Sequence, residues 1–176
     1  MTVITHKTKN HKINSNTQTL VIGTFSPNVE ENVADFFYGR TRNFLWVLLP
    51  RAFNQPSLKG KSKTDKIHFI TEHKIDFIDL ISEVDVEEVA NYNDRYLDDK
   101  VLKWNNVIEE IKKLPKLKRV CLTRKSFADI PNMKIRIDAI KLHCESENIK
   151  FEYLTTPARF YCLAKQVEWS KFFNLI

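Results

Sequence analysis

The chain has 176 residues, 43% of them hydrophobic, and a formal net charge of +6, which is enough apolar material for one sizeable core and a single domain. Three glycines and six prolines exclude a low-complexity chain, and no apolar run approaches the roughly 18 residues needed to span a bilayer. Cys121, Cys144 and Cys162 are far apart with no CxxC pair, so neither a disulfide framework nor a structural metal site is supported, and they read as small buried hydrophobes.

Residues 1–18 (MTVITHKTKNHKINSNTQ) are basic and polar and lack the apolar centre of a secretory signal. They read as a lead-in to a domain over 19–176, in a protein of the cytoplasm. Thr19 to Phe25 is a short apolar run with β-branched residues, which suits a strand buried on both faces. Thr41 to Phe53 places Phe44, Val47 and Leu48 at helical spacing, with Thr41 as N-cap and Phe44, Trp46 and Phe53 in the core. The polar and aromatic connection between them, about fifteen residues, is longer than such connections usually are, and loops of that length are usually functional. Phe36, Phe37 and Tyr38 stand in a row there, so at least one ring should be available to a ligand.

A surface loop over Asn54 to Lys63 leads to a helix from Thr64 and then to a second strand, Ile75 to Ile81. Asp76 and Asp79 do not share a side of that strand, which suits solvated or capping roles, although Asp79 lies near its carboxyl end. The acidic stretch Ser82 to Asp99 has weak periodicity and reads as loop and short helix with a solvated face. Its Asn and Asp residues match no calcium-loop spacing. Lys100 to Leu114 reads as an amphipathic helix stopped by Pro115. Arg119 to Thr123 is a third strand, and a helix follows over Met133 to Glu147 with Ile137, Ile140, Leu142 and Cys144 inward. Phe151 to Thr155 is a fourth strand, and Leu163 to Leu175 a closing helix. His68, His73 and His143 share no metal-ligand spacing.

Alternating strands and helices predict an α/β fold, a three-layer αβα arrangement around a four-stranded parallel sheet. Ligands of such folds bind beyond the carboxyl ends of the strands, near Thr24, Ile81, Thr123 and Thr155. Arg124 and Lys125 leave a strand on that edge and, with Arg40, Arg42 and Arg159, are the candidates for phosphate contacts. Between Glu83 and Asp99 there are seven acidic residues and one basic, so the rest of the chain carries +12. A basic remainder suits a protein that neutralises phosphates, and it is also found on proteins that bind no nucleic acid.

Four segments taken together, GTFSPN (23–28), FFYGRTRNFLW (36–46), CLTRKSF (121–127) and LTTPARFY (154–161), resemble the uracil-DNA glycosylase superfamily. Its hypoxanthine-DNA glycosylase branch is the most similar, the mismatch-specific uracil glycosylases more distantly so. The resemblance implies a monomeric, monofunctional DNA glycosylase in base-excision repair. Such an enzyme flips a deaminated base, uracil or hypoxanthine, out of DNA and hydrolyses its N-glycosidic bond without metal or cofactor. Gly23, Thr24 and Phe25 then form the first motif, followed by Ser26, and frame the extruded base. Phe25 stands where several relatives have a water-activating Asn or Asp. Asn43 matches the branch's retained Asn and would position water or polarise the departing base, and Tyr38, before Gly39, matches the stacking aromatic. Thr155, Thr156, Pro157 and Ala158 match the loop that presses on the strand, with Arg159, Phe160 or Tyr161 as phosphate contact or wedge. Arg40 and Thr41 replace the family's His and Pro. Tyr38 and Asn43 are expected to line one hollow rimmed by arginines. An Asn in this setting also bonds local backbone. Two other readings stay open, a non-catalytic nucleic-acid- or nucleotide-binding protein of this fold, and an enzyme of free nucleosides.

Overall fold

The computed structural model describes residues 1–88 and 91–174. Its centre is the four-stranded parallel sheet, β2 (Thr19–Gly23), β3 (Ile75–Asp79), β6 (Arg119–Leu122) and β7 (Lys150–Tyr153), in the order β3-β2-β6-β7. Side chains alternate across it as strand geometry requires. Leu20, Ile22, Ile78, Val120 and Leu122 enter one core, and Val21, Ile75, Phe77 and Cys121 the other. The second core is closed by α1 (Leu45–Ala52), α2 (Lys63–Glu72) and α6 (Leu163–Asn174), and the first by α4 (Val107–Lys112) and α5 (Pro131–Ser146). This is the expected three-layer αβα arrangement. Leu20, Val21 and Ile22 have no exposed surface at all, and burial of one such side chain is worth about 1.5–3 kcal/mol over leaving it exposed.

A second sheet was not legible locally. β1 (Thr2–Thr5), β4 (Ile81–Val86) and β5 (Val101–Trp104) form an antiparallel sheet in the order β1-β4-β5, with Thr2 opposite Val86 and Ile81 opposite Trp104. The polar start of the chain therefore contributes an edge strand. The expected helix from Lys100 is instead β5 followed by the short α4, because Val101–Trp104 pairs with β4 before any helical turn forms. The acidic stretch is not simply a solvated face. β4 alternates inward, and Asp98 is buried, its carboxylate accepting the backbone N–H groups of Asn132 (2.9 Å) and Met133 (2.8 Å) at the start of α5. These N–H groups have no partner inside their own helix, so a remote carboxylate satisfies them. Between β4 and β5 lies one further helical turn, α3 (Asp94–Leu97).

Smaller differences have equally local causes. Helix α1 begins at Leu45, not Thr41, because Phe44 and Asn43 are held by another loop. Helix α2 starts one residue early, fixed by a reciprocal Ser62–Asp65 capping box. In α5, Leu142 is exposed while Ile137, Ile140 and Cys144 are buried. The last residue of the expected closing helix, 175, lies outside the described residues.

Candidate functional site

The carboxyl ends of β3, β2 and β6 meet at a point. Gly23 is the direct parallel partner of Asp79, and beside it the backbone N–H of Thr123 donates to Ile22 O at 3.1 Å. A Cβ on Gly23 would collide with Asp79 Oδ1 and come within 2.6 Å of the Tyr38 hydroxyl oxygen. Glycine is thus required here by close approach, and Asp79 and Tyr38 converge over it. The Tyr38 hydroxyl is also 3.2 Å from Thr123 Oγ1, and its ring packs at 5.7 Å on Phe77. Burial, reinforced by the charge of Asp79 and opposed by the Thr123 hydrogen bond, holds the Tyr38 phenol well above its ordinary pKa. Tyr38 reaches this place from a turn with φ of 55°, closed by Gly39 N–H on Phe36 O. Phe36 and Phe37 turn into the core, which leaves Tyr38 as the ring at the strand ends.

Asp79 is buried, and so is Asp76; neither has the solvated role the sequence favoured. Each meets a histidine of the N-terminal segment. His6 Nε2 lies 2.6 Å from Asp79 Oδ2, and His11 Nε2 lies 2.6 Å from Asp76 Oδ1. The backbone N–H of Thr8 donates to His6 Nδ1 at 3.1 Å, so the ring proton lies on Nε2 and is donated to Asp79. His6 is itself fixed by its N–H on Ser82 O (2.8 Å) and by a bridge to Pro27. Phe25 stands edge-on to the His6 ring at 5.6 Å, and Asn32 pins the same loop by donating to Ser26 Oγ (3.1 Å) and Pro27 O (2.7 Å).

Asp94 is the second carboxylate at this edge. Burial raises its pKa, while hydrogen bonds from Thr24 and Arg124 work against that rise. Arg124 holds Asp94 at 2.6 Å and Asp129 at 2.7 Å, and Lys125 holds Glu168 at 2.6 Å. Two of the five expected phosphate contacts are therefore engaged in internal ion pairs. Arg40, Arg42 and Arg159 are exposed, and among the described residues none of the three enters an ion pair.

The segment after Tyr38 and the loop after β7 are joined. Asn43 and Ala158 form an antiparallel bridge, with Phe44 N–H on Pro157 O (2.9 Å) and Arg159 N–H on Arg42 O (2.7 Å). Thr156 Oγ1 accepts the Ala158 N–H at 3.2 Å, and Arg159 adopts a φ of 77°. Phe160, 57% exposed, projects beside these arginines with Lys165 Nζ 4.1 Å from its ring centre. The Asn43 carboxamide oxygen accepts the Leu45 N–H at 3.0 Å and so holds the first turn of α1. The amide NH₂ is the end left to act as donor. Tyr38 is thus directed at the strand ends and Asn43 at its own helix, so the two do not line the single hollow expected from the sequence.

Sequence reasoning missed His6 and His11, marked Thr123 only as a strand end, favoured solvated or capping roles for Asp79 and assigned Asp94 to a solvated face. An unexpected pair of histidines in a polar lead-in was the available signal. Among the described residues no group of three or more His, Cys, Asp or Glu is arranged to hold a metal ion, and no helix is long and apolar enough to cross a membrane.

No protein-family model matches the chain, and no curated protein matches it. A solved structure is similar to it, the solution NMR structure of a protein from Methanosarcina acetivorans described as a "putative Uracil DNA glycosylase". The two are 17% identical, the match covers 92% of this chain and 91% of that chain, and the TM-score is 0.64. At that identity the likeness shows a shared fold.

Proposed function

We propose that the chain is a monofunctional DNA glycosylase of the uracil-DNA glycosylase superfamily, nearest the hypoxanthine branch, which removes a deaminated base from DNA. The observation that carries this reading is the Asn43–Ala158 bridge. It seats the segment that carries the specific resemblance (36–46) against the late loop, with three exposed arginines and an exposed aromatic alongside, on a fold shared with a protein described as a glycosylase. Extruding a base costs a few kcal/mol of stacking and pairing. Stacking on Tyr38 returns roughly 1–3 kcal/mol, while Arg40, Arg42 and Arg159 hold phosphates and Phe160 fills the gap the base leaves. Cleavage develops positive charge on the sugar and negative charge on the base, so donors aimed at the base lower the barrier. The Asn43 NH₂ group and the Thr24 and Phe25 backbone are the donors nearest the motif. The enzyme works as a cytoplasmic monomer on DNA.

One observation favours the non-catalytic alternative: the Tyr38 hydroxyl and Asp79 already converge on the space over Gly23. The test is base release from single- and double-stranded oligonucleotides containing uracil, hypoxanthine or xanthine, read as alkali-labile abasic sites. Product that disappears in Asn43→Ala supports the enzyme. Salt-sensitive binding without product supports the binding protein, and turnover of free nucleosides alone supports a nucleoside hydrolase.

A further inference from the structure

Of the two carboxylates at the strand ends, Asp94 is neutralised by Arg124. Asp79 is not. His6 donates its single ring proton to Oδ2, and Nδ1, which accepts from Thr8, carries none, so the pair brings one negative charge and no cation. Among the described residues His6 makes the one hydrogen bond or ion pair to this carboxylate. Oδ1 faces the point above Gly23 where the Tyr38 hydroxyl also arrives. Asn105 Nδ2 fixes the same residue from behind by donating to Asp79 O at 2.8 Å. Leaving a buried carboxylate without a cation is costly, and Asp79 is 6% exposed. The first-motif position itself is filled by Phe25, whose ring can orient no water and instead shields His6.

Resting on the glycosylase reading, we infer that Asp79 is the water-activating residue of this site and that His6 is its positioning residue. A water held by Oδ1 attacks C1′ of the flipped nucleotide. Its oxygen forms the bond to C1′, the C1′–N bond breaks with its electron pair leaving on the base, and the water's proton passes to Asp79. That proton then leaves Oδ1 for the departed base, which restores the carboxylate. His6 keeps Oδ2 occupied, so that Oδ1 is the oxygen presented, and its N–H steadies the charge through the cycle. His6 and Asp79 both line a cavity of about 450 Å³ bounded by the N-terminal segment, β3 and α4.

The test uses the full chain and the oligonucleotide substrate identified above, in single-turnover assays, with binding measured on a 2′-fluoro analogue that is not cleaved. Asp79→Asn, nearly isosteric, is expected to lower the rate by about 10²–10⁴-fold with the dissociation constant unchanged. His6→Ala is expected to lower the rate roughly 10²-fold through misplacement of the carboxylate. Added imidazole, entering by the cavity, restores much of that loss, and His6→Gln, which keeps an N–H donor, loses less. Wild-type rates in a folded Asp79→Asn or His6→Ala protein overturn the inference and leave the glycosylase reading standing. So does a loss that appears equally in binding, or that neither imidazole nor glutamine relieves. If the wild type releases no base from any oligonucleotide, the glycosylase reading fails and takes this inference with it. Should His6→Ala not fold, Asp79→Asn and His6→Gln decide alone.

Discussion

Two Asp–His pairs sit on the same strand and use the N-terminal segment in the same way, yet they do different things. At Asp76 both oxygens are satisfied: Oδ1 takes His11 Nε2 and the Phe77 N–H (2.8 Å), and Oδ2 takes the Asn14 N–H (2.9 Å). At Asp79, at the carboxyl end, Oδ2 takes His6 and Oδ1 faces the Tyr38 hydroxyl above a glycine. The first pair is a staple that ties the chain start to the sheet. The second has the same chemistry with one oxygen left over, and that oxygen is what a site can use. In parallel sheets the carboxyl ends open into loops that can receive a ligand, and here the difference between two otherwise similar carboxylates follows that rule.

The comparison can be broken most forcefully at the staple. Asp76→Ala strands the buried Phe77 N–H, the Asn14 N–H and His11, and is expected to destabilise the protein by about 3–5 kcal/mol, read by urea unfolding. If it costs no more than a surface substitution, the staple is not one. Gly23→Ala sharpens the other end. Its methyl group meets Asp79 Oδ1 and the Tyr38 hydroxyl, and overpacking of this kind costs about 1–3 kcal/mol, with base release falling much further than stability. Equal losses in both would place Gly23 in the packing alone. Phe160→Ala is expected to weaken DNA binding by about 1–3 kcal/mol with an unchanged melting temperature, since the ring is largely exposed. Arg159→Gln should flatten the salt dependence of binding by close to one phosphate contact, about 0.9 in the log–log slope on duplex DNA. Arg124→Gln, whose guanidinium is committed to Asp94 and Asp129, should change stability more than that slope.

The parallel sheet could be read from the sequence because its strands are short apolar runs set off by loops, a signal that needs no knowledge of the partner strand. Gly23, Tyr38 and the late loop were legible through their motifs. The antiparallel sheet was not, because β1 and β5 are four-residue edge strands whose pairing with β4 defines them. The Asp79–His6 pair spans 73 residues, and local periodicity carries no trace of a contact so distant. Arg124 and Lys125 lie on the correct edge, but a strand end does not reveal that an acidic neighbour will take their charge. Asn43 shows the opposite limit. Its motif implied a place at the site, while in the structure the helix start beside it claims its oxygen.

Base removal from DNA is proposed for the strand ends around Gly23, with Asp79 as the group that acts. Measuring base release by the wild type and by Asp79→Asn, side by side on uracil- and hypoxanthine-containing strands, tests it most directly. Abasic product from the wild type, and intact but tightly bound DNA with the variant, is the expected result. Equal product from both, or none from the wild type, contradicts it.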